Sequence, residues 1–343
     1  MPMNRTATGA DPSREVSVKH ERFHGECAPL QHVVSPNVAP CFIIGLLMVI
    51  FLAVPPNLCR GDQGDDLPKI LRSGFLARVI ADVDPRDAQA TLEIMTREVS
   101  SNLGLNSSPK VVLYQNTRSM IEAVHRGELD MVSMPTIDYL RLRDAGFLIP
   151  AFVGLHKHGV GIKFVLITHK ESGIKSINQL KGKTLLTLST NKHEPAHVWL
   201  NMLILKVTKE NTASFFRQVK EIEKVSQGIL GVFFRKADAA LVTRAGLDAA
   251  ILLNPQIEKQ MIILAESREL SDGVTCFPAS MPEKTRQILS RAVLQMSTST
   301  SGRQLFTIFQ TSGVVPFKEA YLEGLEELMR EESCLKGRIV RKR

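Results

Sequence analysis

The chain has 343 residues, 44% of them apolar and 23% charged, which suits a soluble globular protein with two domains of ordinary size. Its formal net charge is +8, but five positive charges (Lys336, Arg338, Arg341, Lys342 and Arg343) fall in the last eight residues, leaving +3 for the rest. The excess therefore reads as a solvated basic tail, 336–343. No helical stretch carries the basic face with interleaved aromatics of a nucleic-acid binder, so no nucleic-acid partner is expected.

Near the start, Cys41 to Val54 is a continuous apolar run of about 14 residues, whereas a membrane span needs roughly 17–25 and the core of an export signal about 7–15. Lys19 and Arg22 precede it and Asp62, Asp65 and Asp66 follow it, which orients the N-terminus inwards. Residues 1–61 are therefore set outside the fold as a signal region, with an uncleaved anchor as the alternative. Cleavage after Gly61 places Cys59 and Gly61 at the small-residue positions. Cys276 and Cys334 then remain in an oxidising compartment, either paired or as two free buried thiols.

Along the chain, Phe75 to Ala81 predicts a strand, and Asp84-Pro85 supplies an N-cap followed by proline at the first helical position. Ala88, Leu92, Met95, Val99 and Leu103 recur at helical spacing up to Gly104. Lys110 to Gln115 reads as a strand, and Asn116 or Thr117 caps a helix ending at Gly127. Asp130 to Ser133 is the next strand; Pro135-Thr136 begins another helix, which Gly146 stops. Alternation of this kind predicts a mainly parallel sheet. Farther on, Ser176 caps a turn over Ile177 to Leu180, Gly182 ends it, and Thr184 to Leu188 forms a buried strand. That strand opens into the polar loop Ser189-Thr190-Asn191 just before a helix, the place where open α/β sheets receive ligands.

A second unit copies the first. Thr117 to Asp130 leads into Met131-Val-Ser, and Ser226 to Asp238 leads into Ala239-Ala-Leu-Val, with cap, apolar positions, arginine and final aspartate in register after one gap. Two lobes of similar build follow, with crossings near 154–161 and 270–277. The expected bounds are 68–157 with 275–335 for the first lobe and 158–274 for the second. The apolar stripe Leu322, Leu325 and Met329 belongs to core, assigned to the first lobe. Helices starting after Asn116-Thr117, Pro135-Thr136, Ser189-Thr190-Asn191 and Ser226-Gln227 should face the gap, where unpaired N–H groups favour anions.

One motif competes. His193-Glu-Pro-Ala-His197 matches the H-E-x-x-H pattern, in which two histidines one helical turn apart hold zinc and the glutamate activates water. Pro195 fits such a helix only at its very start. Incidental metal binding by His193 and His197 with His156 or His158 is the weaker version of the same idea. No phosphate loop, nucleophile elbow or Cys-x-x-Cys pair is present. Asp130 and Asp238 read as turn holders, not paired catalytic carboxylates.

The run Glu171-Ser-Gly-Ile-Lys-Ser-Ile-Asn-Gln-Leu-Lys-Gly-Lys-Thr-Leu-Leu-Thr-Leu-Ser-Thr190 resembles the signature of type II periplasmic substrate-binding proteins. It is most similar to the PhnD-like binders of phosphate, phosphite and phosphonate that serve ABC importers, over about residues 70–330. The resemblance implies an α/β, two-lobed fold with a hinge and an interlobe cleft, and an exported periplasmic monomer. It also implies no cofactor, no catalytic residue and no metal, with a small oxyanion delivered to an ABC permease in the inner membrane. Ser189, Thr190 and Asn191 align with the family's anion-gripping Ser-Thr-Ser-Gly loop, and Lys192 stands in place of its glycine. Tyr139 aligns with a tyrosine of the family, and Gln227 with a histidine of some members. Thr243 falls where aminophosphonate binders carry an acid, which argues against an aminophosphonate. Thr117, Thr136 and Ser226 complete the expected ligand-binding set. The alternatives are a zinc hydrolase built on His193, Glu194 and His197, and a ligand sensor working with a membrane kinase.

Overall fold

The computed structural model describes residues 67–80, 83–157, 159–191 and 193–340, with side chains described as far as 337. The apolar run 41–54, Cys59, the cleavage point after Gly61, His158, Lys192 and residues 341–343 lie outside them.

The first strand, β1 (Arg72–Leu76), begins earlier than its apolar run and yields to a 3-10 turn at Ala77–Ile80. Arg72 and Gly74 hide the true start from hydropathy. Arg72 is held by Asp130, and Gly74 permits close approach, since a Cβ there would lie 2.8 Å from Leu129 Cδ1. Then follow α1 (Pro85–Asn102), β2 (Lys110–Tyr114), α2 (Thr117–His125), β3 (Met131–Pro135) and α3 (Thr136–Leu142). The caps are those the sequence implies: Asp84 accepts from Arg86 N at 2.9 Å and Asn116 from Ser119 N at 3.0 Å. Gly146, at φ 71°, closes the short turn after α3 and leads into β4 (Leu148–Leu155).

The chain next builds β5 (Phe164–His169), a 3-10 turn at Ile177–Leu180, β6 (Thr184–Leu188), α4 (Glu194–Thr208), α5 (Thr212–Phe215) and β7 (Gln218–Ile222). Gln179 reaches back to accept from Ser176 N at 3.1 Å, which seals the signature turn. After these come α6 (Val225–Phe233), β8 (Ala239–Thr243), α7 (Arg244–Leu253), α8 (Gln256–Gln260) and β9 (Met261–Glu266). The last part holds β10 (Gly273–Pro278), α9 (Glu283–Thr298), α10 (Thr300–Ile308), β11 (Gly313–Pro316) and α11 (Glu323–Val340). Lys336 and the residues up to Val340, expected in a loose tail, continue α11.

Two sheets result, in the orders β11-β4-β10-β3-β1-β2 and β7-β6-β8-β5-β9. The second repeats the first. In both, the central strand (β1, β6) pairs in parallel with the two that follow it, and an antiparallel crossing strand (β10, β5) lies against the third. The repeat extends to atoms. Asp130 accepts from the backbone N of Arg72 at 2.8 Å, and Asp238 from that of Thr184 at 2.7 Å, so each aspartate tethers the start of the central strand. The turn-holding role read from sequence is what both carboxylates perform.

The chain passes between the sheets after β4, after β9 and again between β11 and α11, and the first two passages pair: Ile162 N donates to Leu270 O at 2.8 Å and Leu270 N to Ile162 O at 3.0 Å. Glu269 braces the same place by accepting from Gly161 N at 2.9 Å. The helices after β10 divide in a way the sequence did not show. α9 packs on α1 of the first sheet, but α11 lies along α4 of the second. Leu322 joins the core under β3 and β10, whereas Leu325 and Leu328 are fully buried among Leu166, Leu185 and Leu200. A spacing pattern marks a face as apolar but not which neighbour covers it. Cys276 is buried and Cys334 exposed, and both are free thiols; burial pushes the Cys276 thiol upward.

Candidate functional site

A cavity of about 920 Å³ lies between the two sheets. Its wall collects the beginnings of four helices: Pro135 and Ile137 at α3, His193 to Pro195 at α4, Val225-Ser226 at α6, and Thr243 to Gly246 at α7. Each strand-to-helix corner points there because β3, β6, β7 and β8 end at the same edge of their sheets, as parallel strands followed by helices must.

The residues expected from sequence divide. Ser189, Asn191, Ser226 and Thr243 line the cavity. Thr243 also caps α7, accepting from Gly246 N at 3.2 Å. Thr190 turns to the outside of the loop, where its hydroxyl donates to Glu221 Oε1 at 2.7 Å and its backbone N–H donates to the same oxygen at 3.1 Å. Those two bonds, with help from the Ser189 hydroxyl, hold the Glu221 carboxyl below the usual range. Thr136 is fully buried and shares a 3.0 Å hydrogen bond with Ser271. Gln227 caps its own helix, its Oε1 accepting from Glu223 N at 3.1 Å and from Lys224 N at 3.2 Å. Thr117 starts α2 on the first sheet, away from the cavity-lining residues. Tyr139 is buried in the core with its ring edge against Phe317, and burial pushes its phenol up to about 12.

The H-E-x-x-H residues are committed elsewhere. Helix α4 begins at Glu194, with His193 as cap and Pro195 in the first turn, the one position where proline fits. Glu194 Oε2 accepts from Arg78 Nη1 at 3.2 Å and from Arg141 Nη1 at 3.3 Å. Burial alone would raise the Glu194 carboxyl, but the two arginines outweigh it and hold it low. His197 turns inward, with Nε2 at 2.7 Å from Leu188 O, and burial lowers its pKa. His193 sets its ring against the edge of Phe164. The donor set is thus spent on hydrogen bonds and an ion-pair cluster, and it does not fit a catalytic zinc.

Sequence reasoning missed the charged groups that matter most here. Arg78, on the turn after β1, bonds Asp138 and reaches Glu194 across the cleft. Its only sequence signal is a single charge interrupting the apolar run from Phe75 to Ile80. His156 and Asp272 face each other where the first two passages leave the first sheet, with Nε2 3.1 Å from Oδ2. The contact lies off the line of a good hydrogen bond and becomes an ion pair when the imidazole is protonated. Burial lowers the His156 pKa, and the Asp272 carboxylate, with smaller help from Gln310 and Glu269, offsets this and leaves it raised. Elsewhere in the cleft Arg244 is matched by Asp248 and Glu266, both at 2.8 Å.

Residues 78–322 match the family described as ABC transporter, phosphonate, periplasmic substrate-binding protein. Among solved structures, the chain resembles a Xanthomonas citri protein bound to ATP, with a TM-score of 0.56 and 17% identity over 79% of this chain and 99% of that one. A binding protein component of an ABC phosphonate transporter from Pseudomonas aeruginosa gives a TM-score of 0.54 and 13% identity over 81% and 96%. PhnD1 from Prochlorococcus marinus, in complex with methylphosphonate, gives 0.55 and 15% over 77% and 98%. No curated protein matches the sequence. Identities this low speak for the two-lobed fold alone, whereas the family match covers most of the chain. The chain therefore belongs to the periplasmic substrate-binding proteins of phosphonate ABC transporters.

Proposed function

We propose that the cleft reversibly captures a small oxyanion of the phosphate, phosphite or phosphonate type and hands it, unchanged, to an ABC permease. The observation that carries this reading is the convergence of the first turns of α4, α6 and α7, with α3 opposite, on one cavity. Each start brings the positive end of a dipole and first-turn N–H groups without helical partners, of which Thr136 N, Arg244 N and Gly246 N are already taken by Asp272 O, Lys163 O and Thr243 Oγ1. Ser189, Asn191, Ser226 and Thr243 add side-chain donors at the same wall. Arg78 and Arg244 are matched by carboxylates, while Lys157, Lys163 and Lys224 on the same lining add positive charge to the fixed dipoles that replace the ligand's water. Closure then follows from differential contact: a ligand touching both lobes favours the state in which both reach it. Thr136 and Gln227 support this wall as caps and braces, and Thr190 anchors the loop through Glu221. Tyr139 acts as core, and Thr117 belongs to the fold of the first lobe.

In this reading the lobes are 68–157 with the segment from 275, and 158–274, with α11 riding on the second. The protein works as an exported monomer without catalysis. The match to a transporter family favours delivery to a permease over signalling to a kinase. Titration calorimetry against phosphate, phosphite and methylphosphonate tests the reading. ATP joins the panel because the Xanthomonas relative was solved with it and the cavity is ample. One-to-one binding of an oxyanion, weakened roughly ten- to a hundredfold in Ser189→Ala, is the expected result. If neither phosphate, phosphite nor methylphosphonate binds, the reading fails, whether or not ATP does.

A further inference from the structure

The first lobe holds a second, apolar chamber of about 170 Å³ between the inner face of its sheet and helices α1, α9 and α10. Its walls are core side chains, among them Phe152, Phe306 and Val293, each nearly or fully buried. An apolar cavity of about 150 Å³ suffices to take up benzene. The chamber also adjoins the cleft: Val79, Ile80, Asp272 and Phe309 line both. At that shared mouth Asp272 is paired with His156, so the passage presents a matched pair and not a lone carboxylate. The cleft itself, at about 920 Å³, is of the size that takes whole drug-like ligands, well beyond what a bare tetrahedral oxyanion fills.

We infer that this chamber is a subsite for the apolar substituent of an organic oxyanion, of phenyl size, whose charged head sits at the helix starts of the second lobe. The head is fixed by the donors already described, and the substituent leaves water for the chamber through the mouth between Ile80 and Phe309. Apolar burial is additive to polar gripping, so affinity rises with the substituent until the chamber is full. The inference rests on the oxyanion reading, and the two fail separately.

The test is a calorimetric series on the full chain with methylphosphonate, phenylphosphonate and 2-phenylethylphosphonate, repeated in Val293→Phe and Val99→Phe. Both positions line the chamber and lie away from the oxyanion donors. At least tenfold tighter binding of an aromatic member than of methylphosphonate is expected. Either filled variant should lose that gain while holding methylphosphonate as before. Methylphosphonate binding without an aromatic gain overturns the chamber subsite and leaves the oxyanion reading standing. A gain that survives in a folded filled variant also overturns the subsite. If both variants fail to fold, the wild-type series alone decides. No binding by any member overturns the subsite, and overturns the oxyanion reading as well only if phosphate and phosphite also fail to bind.

Discussion

The hydroxyl of Thr190 donates to Glu221 Oε1 at 2.7 Å, and the Thr190 amide reaches the same oxygen at 3.1 Å. The loop that the signature sequence offers to an anion thus holds a carboxylate of its own, from the neighbouring strand β7, and neither Thr190 nor Glu221 is among the residues lining the cavity. Ser189 and Asn191, on either side of Thr190, are the members that face the cleft.

From this division a contrast follows. Ser189→Ala should weaken oxyanion binding roughly ten- to a hundredfold and, because its hydroxyl is the lesser support of Glu221, should lower the melting temperature less than Thr190→Val does. Thr190→Val should instead cost about 1 kcal/mol of stability and leave affinity within a factor of about three, because its partner is an exposed carboxylate. Paired calorimetry and thermal denaturation read both quantities. A tenfold loss of affinity in Thr190→Val would show that its hydroxyl grips the ligand directly.

Glu194 joins the lobes through Arg78 and Arg141. Its folded pKa is depressed, so its contribution is present above the ordinary carboxylate value and is lost as pH falls through the depressed one. Glu194→Gln should cost about 1–3 kcal/mol at neutral pH, between the values for exposed and buried pairs, and should flatten the acid side of the stability profile. Small-angle scattering of the ligand-free variant should show a more open particle. An unchanged scattering profile together with unchanged acid stability would remove Glu194 from any closing role.

At the passage between the sheets the sign is opposite. His156 has a raised folded pKa beside Asp272, so its stabilisation is complete below the ordinary histidine value of 6.5 and fades as pH rises through the raised one. Thermal stability should fall as pH rises above the ordinary histidine value in the parent, and that slope should shrink in Asp272→Asn. Equal slopes in both proteins would place the titration elsewhere.

The repeated aspartates give a test of the fold. Asp238→Ala removes an acceptor shared by the backbone N and the hydroxyl of Thr184, both at 2.7 Å, and should destabilise by about 1–3 kcal/mol without altering ligand affinity. Asp130→Ala should do the same at β1 and also free Arg72. Denaturant unfolding with calorimetry checks it; a shift in affinity comparable to the shift in stability would mean that these turns reach the site.

Local chemistry settled much of this protein from its sequence. Asp84, Asn116 and Ser176 start their turns where cap chemistry puts them, Gly146 ends one, and Pro195 fixes the beginning of α4, because these effects depend only on residues a few positions apart. The repeat from Thr117 to Asp130 and from Ser226 to Asp238 likewise carried the two similar sheets. What packs on what was decided only in three dimensions. Leu325 shows an apolar face but not that α4 covers it, and Tyr139 shows a polar tip but not its burial in the core. Arg78, Arg141 and Glu194 lie far apart in the chain, and nothing in their spacing brings them together. Their meeting depends on how two sheets are set against each other, a relation carried by long-range packing and therefore absent from any short stretch of residues.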